Sequence, residues 1–360
     1  MKTIIYYGDA YEYVLETPVV LEEILEKYKE IFRESIDLLD DVDIQRLYLV
    51  GSGSSYHSAL AAAPLIEKML GMPAIAMCPT EFIENIEKIE GHNTLMIGIS
   101  QQGTSIAVIN ALDLMRKIGG LTIACTGEHD TEITRHGQGT LYVECGIEDA
   151  GSTTKGYTAT IVTLELLGLE IATLQKKASI KERDSYIKKM QDMVQKVQSN
   201  IRHFSPWCEE QSMKLSECRD VIILASGRCK VLIPEFVLKF SETCRIPVRG
   251  FEAEEFMHGM YNAVTDNTQF ICLFDGNSQE DDRLKRLVEY YKTKKNHLYC
   301  INNPLDYETN EWHTYDNRFS MLEYILLLQI LFIFTSRRRG IDLNIPKDPD
   351  FHKYMQSKIE

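Results

Sequence analysis

The side chains best suited to chemistry fall into two groups. In the first half of the chain, Gly51-Ser52-Gly53-Ser54-Ser55 and Ser100-Gln101-Gln102-Gly103-Thr104-Ser105 each gather hydroxyl and amide groups around glycine. Glycine lets backbone approach a ligand closely, and N–H groups at a helix start attract anions. Each stretch is also an ordinary turn or helix cap, but two of them in equivalent places point to a phosphate. Gly151-Ser152-Thr153-Thr154-Lys155-Gly156 is a third such stretch, with a capped helix start as its plain alternative. No GxxxxGK[ST] or GxGxxG pattern redirects the chemistry toward a nucleotide.

The second group is acidic and basic. Glu235, Lys239 and Glu242 stand at i, i+4 and i+7 and share one face of a helix, opposite Val237, Phe240 and Cys244. Carboxylates beside an ammonium can move protons. A glutamate four residues before a lysine is also the usual pattern of a solvent face, worth about 0.2–0.5 kcal/mol, and the pattern alone favours that plainer reading. His258, within Glu254-Glu255-Phe256-Met257-His258-Gly259, is either a base or an ordinary surface histidine.

These groups need elements to position them. Residues 19–41 repeat apolar side chains at helical spacing, which predicts a long amphipathic helix after a short extended start. Short apolar strands are expected at 46–50, 94–99 and 121–125, with helices after the first two. A charged, helix-like connector covers 176–200. The theme then returns, with strands expected at 220–224, 270–274 and 297–301 and a helix at 233–244. Two successive βα arrays imply an α/β chain with two doubly wound, flavodoxin-like parallel sheets in tandem, whose ligands sit outside the C-terminal strand ends. The expected boundaries are an N-terminal helical segment at 1–44, domains at 45–175 and 206–335 around a connector at 176–205, and a tail at 336–360.

Composition narrows the partners. The 360 residues are 44% apolar and 26% charged, with a net charge of −14. That charge opposes a non-specific grip on nucleic acid or anionic lipid. The nine cysteines are scattered singly from Cys78 to Cys300, without metal-ligand spacing, as expected of reduced thiols in a cytoplasmic protein. The apolar run at 324–334 is broken by Gln329 and is shorter than the roughly 20 residues that cross a bilayer, so a buried helix is expected there.

Taken together, the sequence resembles the sugar isomerase (SIS) domain family in its tandem branch, from about residue 45 onward. The resemblance lies in GSGSSY at 51–56, SQQGTS at 100–105, STTKGYT at 152–158, E-x3-K-x2-E at 235–242 and the sixteen-residue step from Glu242 to His258. The branch includes the isomerase domain of glucosamine-6-phosphate synthase and the fructosamine-6-phosphate deglycases. The resemblance implies that Ser54, Ser55, Ser100, Gln101, Gln102, Ser105, Thr153 and Thr154 bind a phosphorylated sugar or amino sugar. It implies that Glu242 shuttles a proton, oriented by Lys239 and Glu235, and that His258 assists ring opening, from either its own or a partner subunit. A homodimer or larger homo-oligomer with a shared active site is therefore expected, with no metal and no cofactor.

Three departures qualify the resemblance. Gln102 stands where the synthases have Ser, and Ser105 where they have Thr. The synthases' tail lysine has its nearest match in Lys353. Lys2 follows Met1, where a glutaminase domain would begin with cysteine, so a glutamine-dependent synthase is not expected. The expected reaction is deglycation of a 6-phosphorylated fructosamine. Deamination or isomerisation of glucosamine 6-phosphate is the alternative, and a non-catalytic sugar-phosphate sensor is the alternative of another class.

Overall fold

The computed structural model describes residues 8–276, 279–301 and 320–359. The chain separates into two compact units, Met1–Gln198 with Asn344–Glu360, and Ser199–Leu343.

The first unit begins with α1 (Ala10–Ile31) and α2 (Arg33–Leu38). The extended start expected before residue 19 is instead helix from Ala10, because Asp9 caps it by accepting from the Tyr11 N–H. There follow β1 (Arg46–Gly51), α3 (Ser54–Leu70), β2 (Ala74–Met77), α4 (Pro79–Glu84), β3 (Thr94–Ile99), α5 (Ile106–Lys117), β4 (Leu121–Thr126), β5 (Gly139–Tyr142) and α6 (Lys155–Leu174). The boundary between the units falls within α7 (Ile180–Ser216).

The five strands are parallel in the order β2-β1-β3-β4-β5. In this order the chain reverses direction of travel between β1 and β3, and the crevice outside their carboxyl ends is where such sheets bind ligands. The loops that leave those two strands are the hydroxyl-rich stretches at 51–55 and 100–105.

Helix α6 is apolar on all sides, as a helix enclosed by its own domain must be. Among the described residues it is the one long and apolar enough to cross a membrane, and 83% of that window is buried inside the unit. Within α6, burial pushes the Glu165 carboxyl up to about 8.

A carboxyl whose folded pKa exceeds its unfolded value keeps its proton longer in the native state, so its contribution to stability declines as pH rises between the two values. Glu165→Gln should therefore gain stability relative to the parent from about pH 5 to pH 8. The expected gain near pH 8 is on the order of a few kcal/mol, read from urea midpoints across that range. A pH-independent difference would show that Glu165 does not titrate in this way.

The second unit continues with β6 (Val221–Ala225), α8 (Ile233–Cys244), β7 (Val248–Glu252), α9 (Ala253–Phe256), β8 (Gln269–Leu273), α10 (Asp281–Thr293), β9 (His297–Ile301) and α11 (Ser320–Arg338). Its parallel strands run β7-β6-β8-β9, so the same reversal occurs between β6 and β8. Phe256, Phe270, Phe274, Leu284 and Tyr291 build the core beneath α10. The apolar run at 324–334 forms the buried centre of α11, which packs on α8 through Phe332 against Phe240. A short helix, α12 (Phe351–Met355), lies in the tail that folds with the first unit. The α/β class and the two tandem doubly wound sheets are those expected from the sequence.

Candidate active site

In the first unit, Gly51 lets α3 start directly beneath the end of β1. A Cβ there would come within 2.8 Å of the Ser55 carbonyl carbon and 2.9 Å of the Tyr56 nitrogen. Ser52 and Gly53 are exposed at the turn, while Ser54 and Ser55 are half-buried at the helix start. The N-cap residues of α3 and α5, Gly53 and Ser105, make no side-chain cap bond of their own. The starts of α3 and α5 lie at the ends of neighbouring strands, where helix N–H groups favour an anion.

Ser100 is 7% exposed, and its hydroxyl accepts the Ser105 N–H at 3.4 Å. Gln101 turns its side chain inward, donating to Cys145 Sγ at 3.0 Å and accepting from the Thr160 hydroxyl at 3.4 Å. Its amide thus ties the loop to α6. Gln102 is exposed and accepts from Lys358 Nζ at 2.8 Å.

That lysine arrives because the tail returns along the loop. Ser105 and Lys358 form an antiparallel bridge, and the Ile359 N–H donates to the Thr104 carbonyl at 3.0 Å. Desolvation against the loop lowers the Lys358 pKa, with the Glu128 charge working the other way. Lys353 sits exposed on α12, one turn earlier. Three lysines lie in the tail, and no spacing in the sequence distinguished the one that reaches the loop.

The third stretch is built differently. Thr153 is half-buried, but Thr154 is fully buried and donates its hydroxyl to Glu148 at 2.6 Å. Sequence reasoning did not single out Glu148, which lies in an unremarkable acidic loop.

In the second unit, α8 carries Glu235, Lys239 and Glu242, and the solvent-face reading fails for the first two. Glu235 and Lys239 have side-chain exposures of 2% and 4%, whereas Glu242 has 37%. The Lys239 ammonium lies 3.8 Å from Glu235 and 3.0 Å from Glu242. α8 is covered by α11 on one side, and Gly250 of β7 meets Ile233 and Val237. Glu235 and Lys239 are therefore buried as Phe236, Phe240 and Cys244 are, while Glu242 remains exposed. Burying an ion pair costs desolvation that its attraction only partly returns. His258 ends the turn after α9, is 68% exposed at its side chain and pairs with Glu254 at 3.8 Å.

The loops at the β6/β8 reversal differ from their counterparts in the first sheet. Asp281 accepts from the Ser226 hydroxyl and from the N–H groups of Asp275 at 3.0 Å and Gly276 at 2.8 Å. Arg228 Nε donates to Asp275 at 2.9 Å. Here the protein's own carboxylates take the donors, so an anion is better served by the first sheet.

Residues 42–169 match the SIS domain model, and the matched segment contains both hydroxyl-rich loops and β1 to β5. This segment is a SIS domain. Over 346 residues, 92% of this chain and 56% of the relative, the chain is 25% identical to an isomerising glutamine–fructose-6-phosphate aminotransferase of Streptococcus agalactiae. It thus spans about half the length of the curated relatives it matches. A protein from Clostridium difficile 630, provisionally described as a phosphosugar isomerase, superposes with a TM-score of 0.88 at 28% identity, covering 98% of this chain and 99% of that one. The C-terminal domain of the glucosamine–fructose-6-phosphate aminotransferase from Francisella tularensis shares the fold, with a TM-score of 0.78 at 19% identity over 94% of this chain and 98% of that one. The family match covers the first sheet, and the second sheet, β6 to β9, lies outside it.

Proposed function

We propose that the chain is a phosphosugar enzyme of aldose/ketose-isomerase type, and that it deglycates a 6-phosphorylated fructosamine. The observation that carries the enzymatic reading is the arrangement on α8. The Glu242 carboxylate is partly exposed, held at 3.0 Å by an ammonium that is itself buried and backed by buried Glu235. A sensor would need the donor loops of the SIS domain but no such group. The phosphate belongs to the loops at 51–55 and 100–105, and binding this non-reacting part supplies orientation for the rest of the sugar.

His258 assists opening of the ring, from its own subunit or a partner's in a homo-oligomer. Glu242 then removes a C1 proton from the open-chain ketosamine, giving the 1,2-enaminol, and a proton returned to C2 leaves an aldimine at C1. Water adds to the aldimine and the amine departs, so the products are hexose 6-phosphate and free amine. Lys239 and Glu235 keep Glu242 in place, and a tail lysine, Lys353 by resemblance, serves the open sugar. The match to isomerising aminotransferases favours a second reading, deamination or isomerisation of glucosamine 6-phosphate, which uses the same shuttle on a smaller amine.

The phosphate assignment has a direct test. Ser100→Ala with Ser105→Ala should raise KM for phosphorylated substrates at least about tenfold, the scale of losing hydrogen bonds to a charged group, while kcat changes little. An unchanged KM would move the phosphate elsewhere.

A further inference from the structure

Glu148 is half-buried in the loop between β5 and α6. Its Oε1 accepts from the Thr154 N–H at 2.6 Å, the Thr154 hydroxyl at 2.6 Å and the Lys155 N–H at 2.9 Å. Its Oε2 accepts from the Gly156 N–H at 2.9 Å. These are the first donors of a 20-residue helix, where unpaired N–H groups and the helix dipole attract negative charge. A carboxylate of the protein itself fills that place.

The filled helix start abuts the 100–105 loop. A Cβ on Gly156 would lie 2.8 Å from Gln101 Nε2 and 3.0 Å from Glu148 Oε2, so glycine is what lets the three come together. The neighbouring ammonium of Lys155 is engaged elsewhere. It donates to Glu16 at 2.9 Å and to the Ile147 carbonyl at 3.1 Å, and lies 4.6 Å from the centre of the Tyr13 ring.

We propose that Glu148 is a specificity-determining residue, which admits one anionic group to the SIS-domain site and excludes a second. The phosphate is confined to the 51–55 and 100–105 loops, and only the uncharged part of a ligand lies against residues 152–156. The ligand class is then the hexose monophosphates, with bisphosphates rejected by like charge. This inference rests on the phosphosugar reading above and deepens it.

The test is calorimetric binding of inorganic phosphate, fructose 6-phosphate and fructose 1,6-bisphosphate to the full chain. The parent should bind the monophosphate at least about tenfold more tightly than the bisphosphate, and neutral Glu148→Gln should narrow that ratio about tenfold or more, as expected when a like-charge contact is removed. Glu148→Ser is a second neutral variant with the same expectation, should the glutamine prevent folding. Glu148→Asp keeps the charge and should keep the discrimination, which a purely structural role would not predict. A parent that binds both esters equally, or neutral variants with an unchanged ratio, would overturn the role of Glu148 alone. Failure of the parent to bind any of the three would overturn the phosphosugar reading itself.

Discussion

Glu242→Gln is expected to lower turnover by about 10²–10⁴-fold, the contribution typical of a positioned general acid–base group. The amide keeps the shape of the carboxylate and can still meet Lys239, now 3.0 Å away, but it cannot accept a carbon-bound proton. Affinity for hexose 6-phosphate should stay within a few-fold of the parent, because the phosphate is proposed to bind the 51–55 and 100–105 loops instead. The two effects separate when kcat and product Kd are measured on the same preparation. Turnover near the parental value would remove Glu242 from the mechanism.

The largest effect on stability is expected from Lys239→Met. Removing the ammonium leaves Glu235 buried, at 2% side-chain exposure, without the cation 3.8 Å away. Breaking a buried pair from one side costs about 3–5 kcal/mol, whereas replacing both partners by apolar groups of similar volume is close to neutral. The urea midpoint of Lys239→Met should therefore fall sharply, and adding Glu235→Leu should recover most of the loss. A single variant within about 1 kcal/mol of the parent, the range of an exposed pair, would mean that water reaches this part of α8 freely. The double variant is also informative for function: it should fold yet turn over slowly, since Glu242 loses the group that holds it.

The two sheets were legible because their central strands are short, continuous apolar runs, most of them followed by a polar or small-residue loop and a helix. The predicted ranges for β1, β3, β4, β6, β8 and β9 differ from the observed ones by at most a residue at either end. The strands not foreseen, β2, β5 and β7, are all at sheet edges. An edge strand is paired on one side only and needs less apolar character, as in β7, where every residue is half-buried.

The candidate site was legible in residue type more than in environment. An i,i+4 Glu–Lys pair reads the same on a solvent face or in a core, and only the packing of α11 and β7 on α8 decides which it is. Glu148 and Lys358 could not be found from spacing. Lys358 reaches Gln102 across most of the chain, and Glu148, though it shortly precedes α6, caps it only because the loop folds back onto the helix start. Gln101 was read as part of a donor-rich loop, yet its side chain faces Cys145 and Thr160. A side chain's direction is set by tertiary packing, which the one-dimensional pattern does not carry.

The most direct measurement is a coupled assay for hexose 6-phosphate release from a panel of 6-phosphorylated fructosamines, with glucosamine 6-phosphate and fructose 6-phosphate alongside. Release from a fructosamine, abolished by Glu242→Gln, is the predicted result and would name the amine. Turnover of glucosamine 6-phosphate alone would replace deglycation with the amino-sugar reaction. Binding of these esters without turnover of any would contradict the account and leave a sensor of sugar phosphates.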